Sequence, residues 1–390
     1  MSERVPEGWE IRTSELIFDR LKVPQVYNRN NVLNFGKFPI IDQSENGEIG
    51  FLQTNPDFLC NSEKPIITFA NHTCAVRRMT KPFGVIQNVF PLVNKQDTNI
   101  DFIFQILKGG IEMEGYKGHY PKLRETEFLL PPLPEQNKIA SILTSVDKVI
   151  EKTEFQIEKI RKLKISMINK LLTKGIDHKK FIDTDIGIIP DNWKLKKMSD
   201  IADIIDPHPS HRAPPINLDG IPFIGIGDVE ENGNILFRNV RKVSTKFFNE
   251  HNKRYQLTKN TIGFGRVASI GKIIDFRNYS EKIIISPTIA IIEPKEIIKS
   301  YVINTLKSNF IKKQIKFLIT GSTRSSLGIM LIRNLLVPVA PIIEQRKISL
   351  ILDSIDEVIK KNSDKLIKIN FFKKSLMQDL LTGKIRVQVN

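Results

Sequence analysis

The sequence has few cysteines, the residues that stabilise small domains through disulfides or zinc sites. Only two cysteines, Cys60 and Cys74, occur in 390 residues, and their spacing matches neither a zinc motif nor a disulfide framework. The apolar runs are too short to span a bilayer, and the first residues lack the apolar core of a signal peptide. These absences predict a cytoplasmic protein with no metal site and no contact with a membrane.

Motifs that carry catalysis are also missing. The glycines around Gly263 superficially resemble a phosphate-binding loop, but no Lys-Ser/Thr pair follows at the required spacing. His208 and His211 lie among prolines without an evident third metal ligand. Pro131-Pro132 lacks the preceding Asn and the following aromatic residue that hold an extruded adenine in amino-methyltransferases. We therefore expect no catalytic residues in this chain.

Positive charge is in clear excess. Lys and Arg number 59 against 43 Asp and Glu, which gives a net charge of +16. Such an excess favours a polyanionic partner, because displaced counterions drive association with a phosphate backbone. AT-rich coding, which inflates lysine, is the alternative explanation. The hydrophobic content of 41% is typical of a folded protein rather than a disordered one.

An internal repeat is the most informative feature. The segment Val5–Glu10 returns as Ile189–Lys194, and these two places hold both tryptophans. A stronger match starts at Glu135 and returns at Glu344, then continues without a gap for nearly forty residues. The chain is therefore two copies of one plan. The predicted domains are a recognition body at 1–130, a helix at 131–176, a second body at 185–337 and a second helix at 338–390.

Each repeated segment follows a proline cluster and carries a heptad pattern, which predicts a long helix that needs a partner helix. The obvious partner is the other copy, packed antiparallel. About 39 residues form a rod of roughly 58 Å, which could act as a ruler along one to two turns of B-DNA. Residues predicted to pack between the helices are Ile139, Leu143, Val146, Ile150, Ile157, Ile160, Ile348, Leu352, Ile355, Ile359, Leu366 and Ile369.

The two bodies share a layout but little sequence. Short β-rich runs such as Ile66–Ala70 and Gly84–Phe90 alternate with polar loops, and each body ends in a helix-like run, at Ile100–Leu107 and Ile297–Leu318. Loops rich in Ser, Thr, Arg, His and Asn suit contacts with base edges and phosphates, although ordinary solvated loops remain the alternative. The candidate DNA-binding residues are Asn71, His72, Thr73, Arg77, Arg78, Lys117, His119, Tyr120, Arg266, Ser269, Lys272, Ser322, Thr323 and Arg324.

This plan resembles the specificity subunit of type I restriction-modification systems over essentially the whole chain. The resemblance rests on the Pro-x-Gly/Asn-Trp openings, on the two Pro-Glu-Gln-x-Lys-Ile-type helix starts, and on the segments Ile67–Arg77 and Gly220–Val229, which look like two classes of target-recognition domain. It implies an α+β fold with two pseudo-repeated mixed α/β recognition domains, separated by two long antiparallel coiled-coil helices.

The resemblance also implies a function and partners. Each body would read one half of an asymmetric, two-part target in double-stranded DNA. Two methyltransferase subunits and the restriction subunits would dock on the chain, and S-adenosylmethionine, ATP and magnesium would be bound by those partners. Two other classes remain open: a coiled-coil scaffold or RNA-binding adaptor, and a self-sufficient methyltransferase-nuclease fusion, for which the chain is short.

Overall fold

The computed structural model describes residues 5–110, 114–115, 118–207, 214–279, 282–319 and 326–389. The chain divides into two compact units. Unit 1 comprises Met1–Phe155 and Ser363–Asn390, and unit 2 comprises Gln156–Asn362. Each unit therefore holds one recognition body, the first half of the helix that follows this body, and the second half of the other long helix.

The first body alternates short strands with a few helices. Its strands are β1 (Glu10–Thr13), β2 (Phe18–Arg20), β3 (Phe38–Ile41), β4 (Glu48–Leu52), β5 (Ile66–Ala70), β6 (Val76–Met79), β7 (Gly84–Val85), β8 (Val89–Asn94) and β9 (Glu127–Leu130). The helices are α1 (Ser14–Ile17), α2 (Ile100–Gly110), α3 (Tyr120–Glu125) and the long α4 (Leu133–Lys174).

The second body and its flanks follow the same alternation. The strands are β10 (Phe181–Thr184), β11 (Gly187–Pro190), β12 (Lys194–Lys197), β13 (Ala202–Ile205), β14 (Ile221–Ile224), β15 (Lys242–Val243), β16 (Ile262–Gly265), β17 (Ile273–Asp275), β18 (Ile284–Ile285), β19 (Ile289–Pro294) and β20 (Leu336–Val339). The helices are α5 (Met198–Ile201), α6 (Thr245–Asn252), α7 (Lys299–Lys307), α8 (Asn309–Ile319), α9 (Ile329–Arg333) and the long α10 (Ile342–Leu381).

Both bodies are built on the same strand order. In unit 1 a four-stranded antiparallel sheet has the order β2-β8-β5-β6, beside a three-stranded sheet β4-β3-β7 and the pair β1-β9. In unit 2 the orders are β13-β19-β16-β17, β15-β14-β18 and β12-β20. Strand by strand the two sets correspond, although the sequences of the bodies differ. The predicted α+β architecture with two pseudo-repeated domains is confirmed.

Two segments that look continuous in the sequence are interrupted. The run Gly84–Phe90 splits into β7 and β8, because Asn88 adopts a left-handed backbone conformation with φ +65°. The run Ile297–Leu318 splits into α7 and α8, because Ser308 has an extended backbone. Hydrophobic periodicity does not detect such single-residue breaks, since the apolar pattern continues across them.

The long helices begin and end in the same way. Glu135 and Gln136 donate their backbone N–H groups to the carbonyl of Pro132, and residues 344 and 345 donate theirs to Pro341. After α4 and α10 the chain turns at glycines with φ of +60° and +70°, as expected for a helix C-terminus. At the second of these, Gly383, a Cβ would lie only 2.5 Å from Pro6, so glycine is required twice over.

The two helices run antiparallel in each unit. In unit 1 Leu143 packs in one apolar cluster with Leu380, while Asp147, further along α4, pairs with Lys373, which precedes Leu380. In unit 2 Leu171 shares a cluster with Ile348, and Lys164 pairs with Asp356. In both units one residue number rises as the other falls, so the predicted antiparallel pairing is confirmed.

Candidate nucleic-acid interface

Two loops meet at one end of the strands of the four-stranded sheet in unit 1. The first connects β5 to β6 and starts at Asn71; the second ends at His119, directly before α3. The backbone N–H of His119 donates to the Asn71 carbonyl over 2.8 Å, and the Asn71 side-chain oxygen accepts from the backbone N–H of Tyr120, also over 2.8 Å. The predicted loop that starts at Asn71 and the predicted loop that contains His119 are thus joined by hydrogen bonds. Arg77 and Arg78, which were predicted to lie in the first of these loops, lie instead in strand β6, where they pair with β5.

The corresponding loops of unit 2 meet in the same manner. Arg266 opens the β16–β17 connection, and its carbonyl accepts from the backbone N–H of Leu327 over 2.7 Å. Val267 and Ser326 form a β-bridge beside this bond. The pair Arg266 and Leu327 therefore takes the place that Asn71 and His119 take in unit 1. Two loop sets without sequence similarity hold equivalent positions on equivalent sheets.

The histidines of the first loop pair hold the loops in place. His119 is fully buried, its Nε2 accepts from the backbone N–H of Glu114 over 2.9 Å, and its Nδ1 lies 3.0 Å from the Asn71 carbonyl. Because Nε2 is the acceptor, Nδ1 carries the proton and donates. The Nε2 of His72 lies 3.2 Å from the side-chain amide of Asn88, on the loop before β8.

Two arginines of the first body engage protein acceptors. Arg77 donates to the carbonyl oxygens of Glu45 (2.7 Å) and Gly47 (2.9 Å) and pairs with Asp42 at 3.3 Å. Its side chain is 12% exposed, and burial lowers the pKa of the guanidinium despite the nearby carboxylates. Arg78 pairs with Asp101. Arg77 therefore joins β6 to the β3–β4 connection, and Arg78 joins β6 to α2.

The cations of the second body are arranged similarly. Arg266 is buried and its Nη2 lies 3.2 Å from Asp206, whereas its Nε has no hydrogen-bond partner among the described residues. Lys272 donates to the carbonyl of Val229 over 2.8 Å and pairs with Glu231 at 3.0 Å. Ser269, between them in the turn, is exposed.

The remaining candidates divide between the surface and the part of the chain outside the description. The Thr73 hydroxyl donates to the Gln43 carbonyl. Tyr120 packs edge-on against Phe90 at 4.6 Å between ring centroids, and burial raises the pKa of its hydroxyl. The candidates Lys117, Ser322, Thr323 and Arg324 lie outside the described residues, as do the histidines 208 and 211. The DNA-binding role of every candidate stays a prediction.

One cation of this surface was not predicted. Arg20 in β2 stacks on Phe90, with 3.9 Å from its guanidinium carbon to the ring centroid, and lies 5.1 Å from the Tyr120 ring. A cavity of about 260 Å³ opens beside it, lined in part by Arg124. No sequence signal marks Arg20, because its neighbours come from β8 and α3, some seventy to a hundred residues later in the chain; only the sheet order brings them together.

The repeated Glu-Gln dipeptide attaches each body to the long helices. In unit 1 the Glu135 carboxylate accepts from the Trp9 indole (3.0 Å) and from two nitrogens of Arg386 (2.7 and 2.8 Å). In unit 2 the Glu344 carboxylate accepts from the Trp193 indole (2.9 Å) and lies 2.8 Å from Nε2 of His178. The two tryptophans found as a sequence repeat thus bind the two glutamates found as a second repeat.

The glutamines of the two dipeptides, Gln136 and Gln345, make equivalent hydrogen bonds in the two units. The Gln136 side chain accepts from the backbone N–H of Asn99, just before α2, over 2.9 Å and donates to the Pro131 carbonyl. Gln345 accepts from the backbone N–H of Ile298, just before α7, over 3.2 Å and donates to the Ala340 carbonyl. Each amide therefore joins the start of a body helix to the start of a long helix.

Burial along the helix pair is uneven. Of the residues predicted to pack between the helices, Ile139, Leu143, Ile157, Ile348 and Leu352 are buried. The others are partly exposed: Val146, Ile150, Ile160, Ile355, Ile359, Leu366 and Ile369. Within the described residues, none of the helices is long and apolar enough to cross a membrane, and no cluster of three or more potential metal ligands occurs.

Comparison with known proteins identifies the class. Residues 6–162 and 190–370 match the family described as the type I restriction modification DNA specificity domain. These two matches cover most of the chain and coincide with its two copies. The chain belongs to this family, as the repeated motifs predicted.

Named relatives extend over nearly the whole chain. The type I restriction enzyme MjaVIII specificity subunit of Methanocaldococcus jannaschii is 25% identical, over 99% of this chain and 95% of the relative. The EcoBI specificity subunit of Escherichia coli is 23% identical over 68% of this chain and 60% of the relative.

Solved structures share the fold at low identity. The S subunit of a type I restriction-modification system from M. genitalium has a TM-score of 0.58 at 18% identity and covers 98% of both chains. A chain from a structure on complex assembly and conformational transition of the type I system has a TM-score of 0.53 at 13% identity, over 98% of this chain and 100% of that one.

Proposed function

We propose that this chain is the DNA-reading subunit of a type I restriction-modification complex and that each body reads one half of an asymmetric, two-part target. The observation that carries the proposal is the equivalence of the two loop pairs. They occupy the same place on the same strand order, yet their residues differ. Equivalent placement suits the same task, and different side chains suit different bases.

The electrostatics agree with duplex DNA as the ligand. The net charge of +16 favours a polyanion. Arg77, Arg78 and Arg266 nevertheless bind protein carboxylates, so a phosphate or a base must compete with these partners or approach neighbouring groups. We therefore assign Arg20, which lies against aromatic rings rather than an acid, to the same surface as Tyr120.

The chain itself supplies recognition and not catalysis in this proposal. S-adenosylmethionine, ATP and magnesium belong to the partner subunits, since the sequence carries no motif for binding them. The relatives are named as specificity subunits, which supports a division of labour in which methyl transfer and cleavage occur on other chains.

Mapping of adenine methylation at base resolution, with and without the gene, tests this function. We expect one asymmetric motif, with two specified halves and an unspecified spacer, to lose methylation when the gene is deleted. Expression of the gene from a plasmid is the control and should restore the motif. Preserved methylation of every motif, despite an active partner methyltransferase, would contradict the proposal.

A second part of the proposal concerns where two identical methyltransferase subunits dock. Two equal partners need two equivalent surfaces. Exposed apolar residues recur at equivalent heptad positions: Val149 with Val358, each 45% exposed, and Leu163 with Phe372, at 54% and 57%. These residues flank the a/d seam at g positions. Val149 and Phe372 belong to unit 1, whereas Leu163 and Val358 belong to unit 2.

The opposite flank of each helix pair, formed by e positions, contains residues that are buried or in contact with the recognition body. In unit 1 the e-position residue Ala140 is buried in the core cluster of the first body, and Asp147 accepts from Gln105 of α2 over 2.7 Å. In unit 2 Ser349, also at an e position, is buried. Each recognition body covers the nearest part of the e flank, so we place one methyltransferase subunit on the apolar g flank of each unit.

Charge introduction on the g flank tests this docking. Leu163→Glu should remove the partner of unit 2 and Phe372→Glu that of unit 1, because a carboxylate in an apolar contact loses its hydration. Each variant should therefore bind one methyltransferase subunit, and the double variant none, as measured by native mass spectrometry. Leu350→Glu is the control, since Leu350 is 70% exposed at an f position. Two bound subunits in both single variants would contradict the assignment.

A further inference from the structure

The seam between the long helices contains two buried lysines at equivalent positions. Lys164 and Lys373 both occupy a positions, where apolar residues normally pack, and their side chains are only 10% and 9% exposed. In unit 2 Lys164 pairs with Asp356, and in unit 1 Lys373 pairs with Asp147. The aspartates occupy e positions of the facing helix.

The two pairs are compatible with one register of the helices. The residue numbers of the two pairs have the same sum, so a single antiparallel alignment satisfies both. A shift by one heptad in one direction would place Lys164 opposite Ser349 and Lys373 opposite Ala140. The opposite shift would place Lys164 opposite Ser363, although Lys373 would then face Glu154. Only the observed register gives both buried ammonium groups a carboxylate.

The apolar seam does not discriminate in this way. Isoleucine and leucine recur every heptad on both helices, so a shifted alignment would still bring apolar side chains together. A buried lysine without a carboxylate, in contrast, is strongly unfavourable. Polar groups at a positions are known to specify register at some cost in stability.

We propose that Lys164 and Lys373, with Asp356 and Asp147, are positioning residues that fix the spacer length between the two half-targets. The inference rests on the proposed function, because the helix register matters to DNA only if both bodies bind one duplex. The two ion pairs act on geometry rather than on overall stability: apolar residues of similar volume in place of a buried ion pair are often neutral or stabilising.

Binding of the full-length chain to duplexes with both half-targets and varied spacers tests this inference. Lys164→Met keeps an apolar seam and leaves Asp356, which is 51% exposed, in contact with water. We expect its thermal midpoint to stay equal or rise, while discrimination between the native spacer and spacers about 3 base pairs longer or shorter falls by about tenfold. The lysine two residues earlier is the control: Lys162→Met alters an exposed pair with Glu158 and should retain full discrimination.

Charge reversal provides the rescue. Lys164→Asp should lose discrimination, and the combination of Lys164→Asp with Asp356→Lys should restore it. The inference is overturned if Lys164→Met keeps the spacer preference, whatever its thermal midpoint, or if the reversed pair fails to rescue. Absence of any two-part preference in the wild-type chain is a different result, which would contradict the proposed function instead.

Discussion

At the scale of single residues, charged groups in this protein mostly hold segments together. Glu135 is the clearest case, with a side chain 5% exposed and three hydrogen bonds from Trp9 and Arg386. Arg386 also donates to the Glu7 carbonyl over 2.9 Å. One carboxylate therefore joins the first residues of the body, the start of α4 and the segment after α10, all within unit 1.

Removal of this charge should destabilise unit 1. In Glu135→Gln the bidentate Arg386 pair is lost and a buried amide faces the Trp9 indole, so we expect a loss of about 1–3 kcal/mol in unfolding free energy. Urea unfolding followed by Trp9 fluorescence measures it in a Trp193→Phe background, because each unit holds one of the two tryptophans. Glu151→Gln, an exposed change on α4, is the control. An unchanged midpoint would refute the role.

A tyrosine in unit 2 predicts sensitivity to alkaline pH. Burial raises the pKa of Tyr255 to about 12, while an unfolded tyrosine titrates near 10. The folded state holds the proton more tightly, so this stabilisation is complete below pH 10 and disappears as pH rises through 12. We expect the wild type to lose about 2–3 kcal/mol more than Tyr255→Phe between these values.

Trp193 fluorescence in a Trp9→Phe background follows this transition in urea. Tyr279→Phe is a matched control, since the Tyr279 hydroxyl accepts a backbone N–H from Ile235 over 2.8 Å just as Tyr255 accepts from Ile285 over 2.9 Å, but Tyr279 is only partly buried. Identical alkaline transitions in the wild type and Tyr255→Phe would show that this hydroxyl is not the cause.

At the scale of elements, the long helices are the most predictable part of the fold. A heptad pattern is local and repeats, so residue types alone indicate helix, seam and partner. Strand order is not local: β2 lies beside β8, more than seventy residues away in sequence. The loop pair Asn71 and His119 could therefore be predicted as two loops but not as one surface.

The ruler hypothesis makes a prediction at the same scale. Deletion of Ile150–Gln156 from α4 together with Ile359–Lys365 from α10 leaves both buried lysines opposite their aspartates. Seven residues at 1.5 Å rise correspond to about 10 Å, or about 3 base pairs of B-DNA. We expect the methylated motif to keep both halves and lose about 3 base pairs of spacer, as read by methylation mapping.

The control for this prediction is the deletion in α4 alone. It puts the two ion pairs out of register with each other, so we expect methylation to fail rather than to shift. A spacer that stays at its native length in the double deletion would rule out the helix pair as the determinant of target length.

At the scale of the whole molecule, the two copies of the internal repeat share one architecture but differ in individual residues and their partners. Glu135 binds an arginine where Glu344 binds a histidine, and Phe372 stands where the first copy has Leu163. The repeat was detectable because the helix segments match without gaps. The shared layout of the two bodies was also predicted, but their common strand order was not, because sheets tolerate almost any sequence that keeps the strand pattern.

The glutamines that fasten the bodies have a consequence for the sequences that a body can carry. Gln136 and Gln345 bind the bodies through backbone N–H groups, of Asn99 and Ile298, and not through their side chains. Every amino acid except proline offers such a group. The two hydrogen bonds therefore do not depend on which side chain the body carries at these positions. We therefore expect that a recognition body of different sequence, attached to the same long helices, could keep both of these hydrogen bonds.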